Sequence, residues 1–146
     1  MDRTVKVIPA EMNFSYCLSK YDCYRKRTGK CSLLLSEEEY QKELLREGHD
    51  KWYYDDGSVR KCVELKDSLL QFGNTSEIRI CRFACGHWGI TDGQHRLCIY
   101  KTANLGKLEV TRTGDWDVEC RVCYFKKKSI KFRMRSWFDK EDEFVR

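Results

Sequence analysis

The sequence predicts an α+β fold, a small mixed β-sheet with helices. Two observations carry that prediction. Short β-prone runs such as "EIRICRF" and "WGIT" alternate along the chain with stretches of helical spacing, the mixture expected when helices pack on a sheet. Glycines stand where the helical runs stop, at Gly48, Gly73 and Gly106. With 146 residues the chain has the length of one domain with a core of its own. The expected organisation is a single domain over 1–146, with a core at about 63–125, an insertion after the first strand at about 15–62, and an acidic tail at 139–146.

The elements follow in order. Val5 to Ile8 is β-prone and is closed by Pro9, a short edge-type strand. "YCLSKYDCYRKRTGKCSLLL" shows no clean period and reads as an irregular insertion. Ser36 followed by Glu39 is a capping-box pattern, and Tyr40 and Leu44 lie one turn apart, so a helix is expected from about Glu37 to Glu47. "KWYYDDGSVRKC" has the Asp-Gly signature of a hairpin. From Val63, residues Leu65, Leu69 and Phe72 share a helical face that ends at Gly73. "EIRICRF", "ACGH" and "WGIT" read as strand, turn and returning strand. Leu97, Tyr100 and Ala103 then continue at helical spacing to Gly106. "DVECRVCYF" and "SIKFRMRSWF" read as two late strands, and "DKEDEF" as a frayed end.

Composition narrows the function classes. Charged residues make up 35% of the chain, and no apolar run approaches the roughly 18 residues that span a bilayer. "MDRTVKVIPAEMNF" lacks the apolar stretch of a secretory signal, so the expected location is the cytoplasm. Nine cysteines cannot all pair within one chain, and in that compartment they are expected to be reduced, small apolar side chains, with metal binding as the competing idea. The net charge of +5 is compatible with a polyanionic partner and equally with simple solubility.

The stretch "TDGQHRL" puts a glycine and two potential cations where a helix opens. The first backbone N–H groups of a helix lack partners and its dipole makes that end partly positive, which suits an anion. Gly93 would let a phosphate approach the main chain, Arg96 could grip it in a fork, and His95 could donate a further bond. Asp92 would then cap the helix, hold a metal ion, or take a proton from a hydroxyl. The local alternative is an ordinary N-cap at Asp92, a tight turn at Gly93, and solvated His95 and Arg96.

"LKDSLLQFGNTSEIRICRFACGHWGITDGQHRLCIYKTANLGKLEV" resembles the core of the ParB/sulfiredoxin superfamily, over roughly Val63 to Val110, with "VKVIPAEMNF" as its first strand. The "DGQHR" box carries the likeness. The resemblance implies phosphate binding by Gly93, Gln94, His95 and Arg96, with nucleotide or DNA as the partner. It also implies catalysis, where there is any, by Asp92 and His95, with Mg2+ accompanying a nucleotide; an enzyme would need Asp92, or another carboxylate such as Glu64 or Glu77, to converge with His95 on one pocket. A hydrolase, nuclease or phosphotransferase activity would follow. Gln94 stands where a sulfiredoxin is similar in having its reactive cysteine, which excludes sulfiredoxin chemistry. "GNTSEI" has Glu77 where the superfamily often has proline, and "EMNFSY" lacks the asparagine-x-arginine element of the DNA-segregation members.

A second constellation offers a non-catalytic alternative. Lys131, Arg133 and Arg135 alternate with Ile130, Phe132 and Met134, so a strand would gather the cations on one face, with Lys126, Lys127 and Lys128 preceding them. Such a ribbon could track a nucleic-acid backbone, or simply protect a sheet edge. "YRKRTGK" is basic but is no Walker loop, since Cys31 follows Gly29-Lys30. Cys81-x3-Cys85 and Cys120-x2-Cys123 suggest a four-sulfur zinc site. In a strand, however, the odd spacing sends Cys120 and Cys123 to opposite faces, which argues against zinc. His49 and His87 read as surface residues. Trp52, Tyr53 and Tyr54 read as core or cross-strand residues.

Overall fold

The computed structural model describes residues 1–48 and 57–128, together with 130, 131, 134 and the backbone of 143–145. Among these the chain is mixed α+β: strands β1 (Arg3–Val7), β2 (Phe14–Cys17), β3 (Arg79–Phe83), β4 (Trp88–Asp92), β5 (Leu108–Trp116) and β6 (Glu143–Val145), and helices α1 (Tyr24–Thr28), α2 (Glu37–Gly48), α3 (Val59–Phe72), α4 (Gln94–Thr102) and α5 (Arg121–Lys128). No helix among the described residues is long and apolar enough to cross a membrane. Two compact units result: residues 1–17 with 74–146, and residues 18–73.

The first unit holds the sheet, in the order β1-β5-β3-β4-β2-β6. β3 and β4 form an antiparallel hairpin, β5 lies parallel to β3, β2 lies parallel to β4, and β1 and β6 close the edges antiparallel. Ile78, Ile80, Cys81, Leu108, Val110, Phe14 and Tyr16 from the sheet and its margin are buried, as are Leu97, Cys98, Ile99 and Tyr100 of α4. A helix buried at four successive positions has no polar face in its middle, so its amphipathic signal is weak.

The second unit holds α1 to α3. The capping box forms as expected: the Glu39 amide donates to Ser36 Oγ at 3.2 Å and the Ser36 amide donates to Glu39 Oε2 at 3.1 Å. At the other end of α2, the Glu47 carboxylate accepts from the Arg27 guanidinium at 2.5 Å and from the Val59 amide, the first residue of α3, at 3.0 Å. Val59, Leu69 and Tyr24 are buried.

Several expectations change. "SYC", at the start of the expected insertion, joins Phe14 in the strand β2, whose Phe14, Ser15 and Tyr16 are all buried. α3 begins at Val59, so "SVRKC" is its cap and first turn rather than a hairpin arm; residues 49–56, with His49, Trp52, Tyr53 and Tyr54, lie outside the described residues. β5 runs on to Trp116, and within "DVECRVCYF" the chain turns into α5. Ile130, Lys131 and Met134 are helical, which replaces the alternating strand there. Residues 143–145 of the acidic tail pair with β2.

Candidate metal centre

The β3–β4 turn, Ala84 to His87, carries two of the polar groups that converge in the first unit. The turn is tight because the Gly86 amide donates to the Phe83 carbonyl at 2.9 Å and the Phe83 amide to the His87 carbonyl at 2.9 Å. Gly86 sits at φ +85°, a left-handed conformation that favours glycine. The turn thus projects Cys85 and His87 two residues apart. The other two groups come from the start of α5, where Cys120 precedes the helix and Cys123 lies in its first turn, one helical step of three residues apart and so on one side. The Tyr124 amide donates to the Cys120 carbonyl at 3.0 Å, and the Ala84 amide donates to the Val118 carbonyl at 2.9 Å, tying the segment before α5 to the turn.

These two elements bring Cys85, His87, Cys120 and Cys123 together, with all four ligand atoms within 4.8 Å of one another. His87 Nδ1 lies 3.5 Å from Cys85 Sγ, 3.5 Å from Cys120 Sγ and 3.3 Å from Cys123 Sγ. A tetrahedral zinc ion, with Zn–S near 2.3 Å and Zn–N near 2.0–2.1 Å, sets its sulfur and nitrogen ligands roughly 3.5 Å apart. The three sulfur–nitrogen separations match that edge. Backbone amides point at sulfur, among them Cys120 N–H at Cys85 Sγ (3.4 Å) and Cys123 N–H at Cys120 Sγ (3.5 Å). Such donors stabilise thiolate charge and orient the ligands.

Electrostatics divides the thiols. Burial pushes the Cys123 thiol up to about 12, and hydrogen bonding with Cys120 and repulsion from Cys120 and Cys85 add to it. Burial also acts upward on Cys85, but the amides of Cys120 and His87 and the thiols of Cys120 and Cys123 outweigh it, and its pKa falls. A cluster of thiols that repel one another when ionised is suited to a cation. Three sulfurs and an imidazole form a zinc-type donor set, whereas Mg2+ prefers a shell of hard oxygens.

The expectation against zinc is therefore corrected. The strand assumed at Cys120 to Cys123 is the start of a helix, where the same spacing that would split the two cysteines instead joins them. Cys81 is not part of the cluster: it is buried in β3, and burial raises its pKa. Its place is taken by His87, which had read as a surface residue. The signal available in the sequence was "CGH", a glycine turn between two ligand types, together with Cys-x2-Cys.

The residues of the "DGQHR" box open α4 as expected. Gly93 is at φ +88°, and a Cβ there would lie 2.8 Å from Ile78 Cγ1, so the glycine permits both the turn and the close packing. Gln94 Oε1 accepts the Cys17 amide at 2.6 Å. Arg96, only 15% exposed, donates to Asn74 Oδ1 (2.8 Å), Ser76 O (2.7 Å), Ser76 Oγ (2.5 Å) and Glu77 O (3.0 Å), clamping the loop before β3. Asp92 is exposed, 3.8 Å from Arg96, and His95 is half-buried. Glu64 lies on α3, in the other compact unit, and Glu77 beside Arg79.

Lys126, Lys127 and Lys128 are exposed in the last turn of α5, and Lys131 is exposed beyond it. Lys127 pairs with Glu119, which raises its pKa, and Lys128 lies 4.5 Å from the Tyr124 ring centroid. Arg133 and Arg135 are outside the described residues. No protein-family model matches the chain, and no characterised protein or solved structure matches it.

Proposed function

We propose that this chain is a zinc-stabilised, non-catalytic nucleic-acid-binding module. The observation that carries the reading is the convergence of Cys85, His87, Cys120 and Cys123 at the base of a helix that ends in Lys126, Lys127 and Lys128. Four protein ligands fill a tetrahedral shell and leave no position for a substrate, so the metal's contribution is structural. It would fix α5 on the β3–β4 turn and so hold in place a helix end that carries three ammonium groups, one of them paired with Glu119, which displace counterions from phosphates. The chain order of α3, the β3–β4 hairpin and α4, with Asp92 to Arg96 at the opening of α4, supports a ParB/sulfiredoxin-like arrangement of the core.

The test joins both halves of the reading. Native mass spectrometry is expected to find one zinc per chain that a chelator removes. A DNA duplex titrated over a range of salt should bind the zinc-loaded protein and bind a Lys126→Ala/Lys127→Ala/Lys128→Ala variant more weakly. The salt slope should be shallower by about 2–3 in that variant. A chain that carries no zinc, or a triple variant that binds like wild type, refutes the proposal.

A second reading keeps a phosphate ligand at the start of α4, whose first turn has no side-chain cap. Loss of nucleoside triphosphate binding in Arg96→Ala, with zinc content unchanged, would favour it. Absence of binding to wild type removes it.

A further inference from the structure

Arg82 and Trp88 are cross-strand partners in the last paired rung of the β3–β4 hairpin, next to the turn that carries Cys85 and His87. The Arg82 guanidinium carbon lies 5.7 Å from the Trp88 ring centroid, and that of Arg112, from β5, lies 5.2 Å from the same ring. Arg112 is in turn the register partner of Arg3 in β1. Arg3 and Arg82 are exposed and Trp88 is half-buried. The acid in the group is Asp115, which pairs with Arg112. Its carboxyl is held below the usual range by the hydrogen bond from Arg112; burial opposes this, and attraction to Arg112, Arg82 and Arg3 adds to the lowering. Three guanidinium groups thus meet one carboxylate, and the patch keeps a surplus of positive charge.

A guanidinium stacked on an indole is positioned before any ligand arrives, and it loses less freedom on gripping one than a free side chain would. Its fork matches a phosphate. With two guanidinium groups against it, the Trp88 ring is not a vacant platform for unpaired bases, so the patch is suited to phosphates rather than to base stacking. We propose that Arg82 and Arg112, stacked on Trp88, together with Arg3 beside Arg112, form a second phosphate-contacting surface, and that its occupant is the backbone of a double-stranded nucleic acid. This rests on the nucleic-acid reading above and adds residues to it. The turn that holds two of the metal ligands adjoins the rung that carries Arg82 and Trp88, so a bound metal would steady this surface as well as α5.

The experiment uses the full zinc-loaded chain and a fluorescent DNA duplex of two helical turns, read by anisotropy over a range of salt. Arg82→Gln/Arg112→Gln is expected to bind about tenfold more weakly, with a salt slope shallower by about 1–2 and an unchanged zinc content. Asp115→Asn, at an exposed position, is expected to bind several-fold more tightly, a gain that damage to the fold would not produce. The proposal is overturned by an arginine variant that binds like wild type, by an Asp115→Asn variant that does not tighten, or by tighter binding of a single strand of equal length. If the lysine variant loses binding while these variants do not change it, the α5 reading survives without this surface. If the arginine variant alone loses it, this surface survives without α5. A wild type that binds no duplex sinks both.

Discussion

At the scale of single residues, the candidate metal centre rests on side chains whose convergence depends on the turn beneath them. His87 and Cys85 become neighbours of Cys120 and Cys123 because Gly86 turns the chain and because α5 begins at Arg121. The ligand types were visible in the sequence; the convergence was not, because a strand and a helix place residues three apart on opposite sides or on the same side. His87→Ala is expected to abolish stoichiometric zinc binding and to destabilise the fold by more than about 4 kcal/mol, the range reserved for losing a metal site or a buried network. Zinc stoichiometry with denaturant unfolding checks both. Gly93 offers a second case. Gly93→Ala would force a left-handed backbone on a residue with a Cβ that meets Ile78, costing about 1–3 kcal/mol in the same unfolding assay.

At the scale of elements, what could be read in advance depended on whether the signal was local. α2 was legible because Ser36 and Glu39 satisfy each other's amides within four residues, and the β3–β4 hairpin because its turn lies between two β-prone runs. β2 was hidden because all but its last residue is buried, and α5 because Val122 and Tyr124 are as much at home in a strand as in a helix. The same capping box makes α2 sensitive to acid. The Glu39 carboxyl is held below its ordinary 4.5 by the Ser36 amide and by Lys30, so the native state favours the ionised form. That contribution is present above the unfolded pKa and is lost as pH falls through the lower folded one. Glu39→Gln keeps a side chain that can accept the Ser36 amide but removes the titration. Unfolding followed below about pH 5 should therefore show a shallower loss of stability in Glu39→Gln than in wild type, and parallel curves would exclude the capping contribution.

At the scale of the whole molecule, the unit that carries Cys85, His87, Cys120 and Cys123 is built from both ends of the chain, with residues 18–73 lying between its two parts in sequence. β1 joins β5 through five register pairs from Arg3↔Arg112 to Val7↔Leu108, and β2 lies beside β4. Local propensity cannot encode such pairings, since the partners are far apart in sequence and the loop-closure entropy must be met before any contact rewards it. The sheet was therefore predictable as a class and not as an order of strands. The arrangement also assigns the first 17 residues a protective role. They cover β5 and β4, which would otherwise become the edges of a sheet rich in Ile80, Val110 and Ile90. Unpaired edges recruit further strands from other molecules. A chain lacking residues 1–17 keeps all four residues of the candidate metal centre, so it separates the cover of the sheet from the proposed metal. It is expected to aggregate in light scattering even when zinc is supplied in excess. If the truncated chain stays monodisperse, with native-like circular dichroism and full zinc content, then β1 and β2 are additions to the sheet rather than the cover it requires.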